Sequence, residues 1–148
     1  MKAYSIILLL ASLPALANAE SYLCVEGQVT GFNFNMKGNN WEKSGFHADH
    51  KYFVKPNSDT SLKAKWIVTQ SGATVPYASS QDDFASTGAL KLDGMGGQFL
   101  MNKKSLRFVR TYILGYWTDA IPGEEAGSFV EGKNTPVITI GSCSVLEP

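Results

Sequence analysis

Phe46-His47-Ala48-Asp49-His50-Lys51-Tyr52-Phe53-Val54 carries the clearest two-residue alternation in the chain. Phe46, Ala48, Tyr52 and Val54 fall on one side together with His50, and His47, Asp49, Lys51, Phe53 and Lys55 fall on the other. A mostly apolar face opposite a mostly polar one at period two is the pattern of a half-buried β-strand. The spacing predicts one strand from Phe46 to Val54. Pro56 ends it, because proline has no N–H to give to a ladder.

The same period recurs on both sides, broken at short intervals by Gly, Asn, Asp and Pro. Tyr22–Val25 reads as a first strand. Val29–Met36 reads as a second, with Phe32, Phe34 and Met36 on one face and a bend or bulge at Gly31. Lys37–Asn40 is a turn, and Trp41 begins the return. In Lys63–Thr69, Ala64, Trp66 and Val68 alternate against Lys63, Lys65 and Ile67. Ser71–Thr87 is polar and irregular and reads as a long loop, with one helical turn around Ser80–Phe84. Leu90–Leu92 and Gln98–Met101 flank Asp93-Gly94-Met95-Gly96-Gly97, a hairpin signal. Ser105–Trp117 is the longest predicted strand: Leu106, Phe108, Tyr112, Leu114 and Tyr116 share a face with Arg110, and Val109 and Ile113 take the other. Thr118–Ser128 is an acidic loop, and Phe129–Glu131 and Val137–Ile140 form a closing pair.

No stretch shows sustained helical periodicity. About eight short strands with tight turns predict an all-β, antiparallel, closed or nearly closed small barrel. A two-sheet sandwich is the alternative. Closure removes the unpaired strand edges that an open sheet would expose.

Residues 1–19 read as a signal peptide: Lys2 gives a positive start, Ile6–Leu16 is nearly unbroken apolar sequence, and Ala17-Asn18-Ala19 offers small residues for cleavage. The apolar run is shorter than the roughly twenty residues a membrane-crossing helix needs. The expected mature chain, residues 20–148, is a single periplasmic or secreted domain without a membrane span. Cys24 follows Tyr22 and Leu23 rather than small residues, which argues against a lipidated N-terminus.

Removing residues 1–19 leaves twelve basic and thirteen acidic residues, a formal charge of −1. Such a balance argues against nucleic-acid binding, which draws on clustered positive charge. The two cysteines, Cys24 and Cys143, stand near the ends of the mature chain, and an oxidising compartment would pair them. Pairing requires their Cα atoms to come within about 7 Å, so the first and last strands must be neighbours. A monomer is expected.

Chemistry-bearing clusters are few. His47, Asp49 and His50 are the one group resembling a metal site, yet on a strand His47 and His50 would face opposite ways. No metal or other cofactor is expected. There is no Gly-x-Ser-x-Gly elbow, and Asp82-Asp83 and Glu124-Glu125 are adjacent pairs in loops, with nothing to set the separation glycoside hydrolysis needs. Gly94-x-Gly96-Gly97 lacks the helix and Lys-Ser/Thr of a phosphate loop. Arg110, on an otherwise apolar face, needs an acidic partner or a bound anion if it is buried. Trp41, Tyr116 and Trp117 are candidates for an exposed recognition patch.

Ser105-Leu106-Arg107-Phe108, Thr135-Pro136 and Ile140-Gly141-Ser142-Cys143-Ser144, with Trp41, Phe46 and Lys51-Tyr52, resemble small exported proteins of bacteria and their prophages, a group without an assigned function. Tyr22-x-Cys24 followed by Gly27, and Ser71-Gly72-Ala73 ahead of Tyr77, are similar to periplasmic C-type lysozyme inhibitors, which are small disulfide-bearing β-barrels. That resemblance implies that Ser71 reaches into a lysozyme cleft. Those inhibitors place the tyrosine closer to the Ser-Gly and carry a later Thr-Lys-Gly segment that this chain lacks. The expected function is non-enzymatic recognition of an envelope or extracellular macromolecule, with Ser71, Tyr77, Arg110, Tyr116 and Trp117 as candidate binding residues and Ser71–Thr87 and Thr118–Ser128 as candidate loops. The alternatives are a lysozyme inhibitor, a carrier using the barrel interior, and, last, a metal-dependent or hydrolytic enzyme centred on His47 and Asp49.

Overall fold

A computed structural model of the chain describes residues 20–114, 116, 132 and 134–146. They form β1 (Ser21–Asn35), β2 (Asn40–Phe46), β3 (Lys51–Pro56), β4 (Trp66–Gln70), β5 (Ala78–Ser80), β6 (Ala89–Gly94), β7 (Gly97–Asn102), β8 (Arg107–Tyr112) and β9 (Val137–Leu146), with no helix among the described residues. Every pairing is antiparallel. β1, β3, β4, β5, β6, β7, β8 and β9 follow one another around a closed barrel, and β9 returns to β1. The sandwich alternative is thereby excluded. β2 lies outside the barrel, laddered to Val29–Asn35 of β1.

β1 achieves this by changing partners along its length. Its first half, Tyr22–Val25, sits between β3 and β9; its second half sits between β2 and β9 as far as Gly31. The register of β1 on β9 shifts between Glu26 and Gln28, a bulge centred on Gly27. Cys24 and Cys143 are register partners with Cα atoms 3.9 Å apart, and their sulfurs are bonded. First and last strands are thus neighbours, as the cysteine positions require.

Alternation decides what fills the barrel. Tyr22, Tyr52, Val54, Val68, Leu92, Phe99, Met101 and Phe108 point inward and are almost wholly buried. Their rings interlock: Phe99 stacks on Phe108 at 4.8 Å, and Tyr52 meets both edge-on at 5.5 and 5.9 Å. The β6–β7 hairpin turns at Met95-Gly96, where Gly96 has φ +81°, a backbone state that residues with a Cβ disfavour.

One end of the barrel is plugged. Phe84, from the segment between β5 and β6, lies edge-on to Trp66 at 4.9 Å and 5.8 Å from Tyr22. Asp83 fastens it, accepting from the Phe84 N–H at 2.7 Å and from Trp66 Nε1 at 3.0 Å. These bonds hold the Asp83 carboxyl below its ordinary value, the Phe84 N–H contributing most.

Several predicted boundaries are corrected. Phe46–Val54 is not one strand: β2 stops at Phe46, β3 begins at Lys51, and His47–His50 links them. The loop predicted for Ser71–Thr87 contains β5, and no helical turn forms at Ser80–Phe84. The strand predicted for Ser105–Trp117 begins only at Arg107, after Leu106 takes φ +53°, and ends at Tyr112. Phe129–Glu131 lies outside the described residues.

Replacing both cysteines by alanine should lower unfolding free energy by about 2–5 kcal/mol in urea titrations; an unchanged midpoint would show that β1–β9 pairing closes the barrel unaided. Because the Asp83 carboxyl is lowered in the folded protein, its contribution is present at neutral pH and fades as pH falls through the folded value. Tryptophan emission should therefore change in the acid range, and Asp83→Asn should abolish that change.

Candidate functional site

The end opposite the plug is polar. Along β1 the inward phase runs Tyr22, Cys24, Glu26, and the bulge at Gly27 follows immediately. The Glu26 side chain is 1% exposed. A carboxylate so far from water must be compensated, and four groups meet it. Tyr52 Oη donates to Oε1 at 2.8 Å, and the His50 backbone N–H donates to Oε2 at 3.2 Å. His50 Nδ1 lies 3.2 Å from the same Oε2, and Arg110 Nη1 faces Oε1 at 3.9 Å.

That last separation is an ion pair without a hydrogen bond. Arg110, inward on β8, is held chiefly by aromatic faces: its Cζ lies 4.7 Å from the Tyr77 ring centroid and 5.6 Å from that of Tyr52. Tyr77 is itself anchored by its hydroxyl, which donates to the Thr111 carbonyl at 3.0 Å. Arg110 Nε and Thr139 Oγ1, on residues paired across β8 and β9, are buried with no hydrogen-bond partner among the described residues. Burial pushes the Tyr52 hydroxyl well above its ordinary value; the Arg110 charge opposes this and the bond to Glu26 adds to it. Tyr52 is therefore a fixed donor at physiological pH.

Over this layer opens a concavity of about 300 Å³ lined by Glu26, His47, His50, Gln70, Tyr77 and Arg110. Asp49, exposed, brings Oδ1 to 3.3 Å from His50 Nδ1. Because His47–His50 is a link and not a strand, alternation does not govern it: His50 turns to Glu26, and both histidines reach the same concavity.

Of the candidate binding residues, Tyr77 and Arg110 come together in this layer. Ser71 does not. It is exposed at the turn after β4, its N–H donating to the Lys51 carbonyl at 2.8 Å, and it lines a separate concavity of about 360 Å³. Tyr116 lies elsewhere again, exposed and edge-on to Trp41 at 5.6 Å, and Phe34 is 5.5 Å from Trp41. Phe34 and Trp41 stand on the β1–β2 ribbon outside the barrel, and Tyr116 meets it from the segment after β8. Trp117 and the loop Thr118–Ser128 lie outside the described residues. Glu26 and Tyr52 join the site without being among the sequence candidates; the one local sign is that Glu26 stands in phase with Tyr22 and Cys24.

The outer wall of the barrel forms a second feature. Leu100, Val109 and Ile140 are register partners across β7, β8 and β9, all facing outward. Ile138, on the next outward row of β9, leads to Ile113 and Phe32 around a groove of about 350 Å³. All six are between 36% and 52% exposed. Lys91 lies opposite Leu100 and is paired with Asp93 at 3.1 Å; Arg107 stands two residues before Val109, and Lys43 lines the groove, so these last two place positive charge at the rim.

Comparisons of the chain with protein-family models, curated proteins and solved structures return no match.

Truncating Glu26 to alanine should leave the Arg110 charge buried without its counter-ion and cost about 3–5 kcal/mol in urea unfolding. Replacing Glu26 and Arg110 together by methionine should cost less than Glu26→Ala alone; equal or greater loss would show that the pair is not energetically coupled.

Proposed function

We propose that this is an exported, non-enzymatic binding protein that recognises an envelope or extracellular protein through the apolar outer wall of its barrel. The observation that carries the reading is the run of six large apolar side chains, Leu100, Val109, Ile140, Ile138, Ile113 and Phe32, contiguous on one wall and each more than a third exposed. Apolar area gathered in this way on a small domain is commonly an interaction surface. Lys43 and Arg107 beside it favour a partner whose apolar contact area carries acidic residues at those two places.

Two further features support parts of this reading. The Cys24–Cys143 bond is compatible with an oxidising compartment, and so with cleavage of residues 1–19 near Ala19. The aromatic filling of the barrel favours a site on its outside over a ligand carried along its axis. No helix among the described residues is long and apolar enough to cross a membrane. Lysines such as Lys51, Lys55 and Lys91 stand among the outward residues of the strands, where the belt of a lipid-facing barrel would be apolar all round.

A second reading, lysozyme inhibition, is favoured by the exposed Ser71-Gly72 turn, where Gly72 takes φ +85°. Slowing of lysozyme on peptidoglycan that is lost in Ser71→Ala would establish it.

Binding of envelope-extract proteins to the immobilised chain lacking residues 1–19 should be saturable. It should fall at least tenfold in an Ile138→Asp/Ile140→Asp variant and weaken in Lys43→Glu/Arg107→Glu. Binding indifferent to the wall substitutions would sink the proposal. So would light scattering that shows a dimer dissociated by Ile140→Asp, since the wall would then be covered by a second copy.

A further inference from the structure

The open end of the barrel gathers a set of atoms that the binding proposal does not use. Glu26 Oε2 and Asp49 Oδ1 stand 3.2 and 3.3 Å from one nitrogen, His50 Nδ1, and all three atoms lie within 4.8 Å of one another. A neutral imidazole can present at most one proton at Nδ1, and one proton serves one of two carboxylates well. A metal ion would serve all three. Ligands about 2.0–2.1 Å from a tetrahedral zinc are about 3.3–3.4 Å apart, close to both separations seen at His50 Nδ1. The third edge, Glu26 to Asp49, is at most 4.8 Å, and the Asp49 side chain, 73% exposed, has room to turn toward it.

The surroundings resemble a prepared ligand shell. Glu26 is buried and its two oxygens have divided roles: Oε1 takes the Tyr52 hydroxyl and faces Arg110, while Oε2 points to His50. Outer contacts of this kind fix a carboxylate ligand and set its orientation. The His50 N–H bond to Oε2 fixes the link against β1. Asp49 and His50 face solvent, so further coordination positions are open to water or to an incoming group. One imidazole with two carboxylates suits a late first-row divalent ion, whereas calcium and magnesium prefer an all-oxygen shell.

We propose that Glu26, Asp49 and His50 form a divalent-metal site for a zinc-class ion at the open end of the barrel. Binding puts the metal on His50 Nδ1 and on one oxygen of each carboxylate, displacing any proton held at Nδ1, with no redox change.

Zinc chloride added alone to the chain lacking residues 1–19, at neutral pH, provides the test. Calorimetry should show one site per chain, and thermal unfolding should shift upward by several degrees, reversed by a chelator. Cobalt(II) should give a visible d–d spectrum that zinc abolishes. Asp49→Asn and His50→Gln, both at exposed positions that leave the barrel core intact, should each weaken zinc binding at least tenfold. Far-UV spectra matching the parent chain would show that these variants fold. Three results would overturn the assignment: no binding at millimolar zinc, binding that both variants retain, or binding that follows His47→Gln and not Asp49 and His50.

Discussion

β1 is laddered to three different strands, and the shape of the molecule depends on how it shares them. A strand has two edges, so fifteen residues can serve three partners only by exchanging one of them part-way. The exchange happens where β3 starts and β2 ends, beside the bulge at Gly27, while β9 keeps its edge from Ser21 to Gly31. Because β9 is the last strand, this pairing converts an open meander into a closed barrel. Cys24–Cys143 sits within it and ties two positions 119 residues apart, where loop-closure entropy in the unfolded chain is large. The bond therefore acts mainly on the unfolded ensemble, and the backbone ladder supplies the closure.

Closure gives the interior two unlike ends. At one, Trp66, Tyr22 and Phe84 pack as an aromatic plug whose polar atoms are met by two carboxylates, Asp83 accepting from Trp66 and Glu20 from the Tyr22 hydroxyl. At the other, Glu26 is carried inward by the strand phase and Arg110 follows it from β8. Within a low-dielectric core neither charge is tolerable alone. The tyrosines soften the mismatch, Tyr52 by a hydrogen bond to the acid and Tyr77 by its face to the base. The polar layer is thus a consequence of placing one acid and one base on inward phases at the same level of the barrel.

Most inward and outward assignments were legible because alternation is a local property: Tyr52 and Val54 in, Lys51 and Lys55 out, Phe108 in, Val109 out. The break at His47–His50 was not, since the alternation runs through it. What ends the ladder there is Glu26, whose N–H donates to the His50 carbonyl and whose carboxylate takes the His50 N–H, a contact across 24 residues. β5 was hidden for a related reason. Ala78–Ser80 has weak strand character alone and is drawn into the sheet by β4 on one side and β6 on the other. Arg110 is conspicuous in the sequence because it interrupts an apolar face, but its partner depends on the register that brings β1 and β8 to one level.

The wall and the open end illustrate how differently surface and interior features are encoded. Each wall residue is an ordinary outward aliphatic, and single exposed aliphatics carry no meaning. Their significance arises from register: shifting β8 by one residue against β9 would part Val109 from Ile140 and turn a face of each strand the wrong way. The open end is encoded the other way, by residue types that are conspicuous in sequence, two histidines and an aspartate, whose geometry is fixed by an acid from a distant strand. A site of the first kind tolerates conservative change at any one position and is lost when register slips. An arrangement of the second kind hangs on Glu26, because the buried carboxylate meets both the link and the guanidinium.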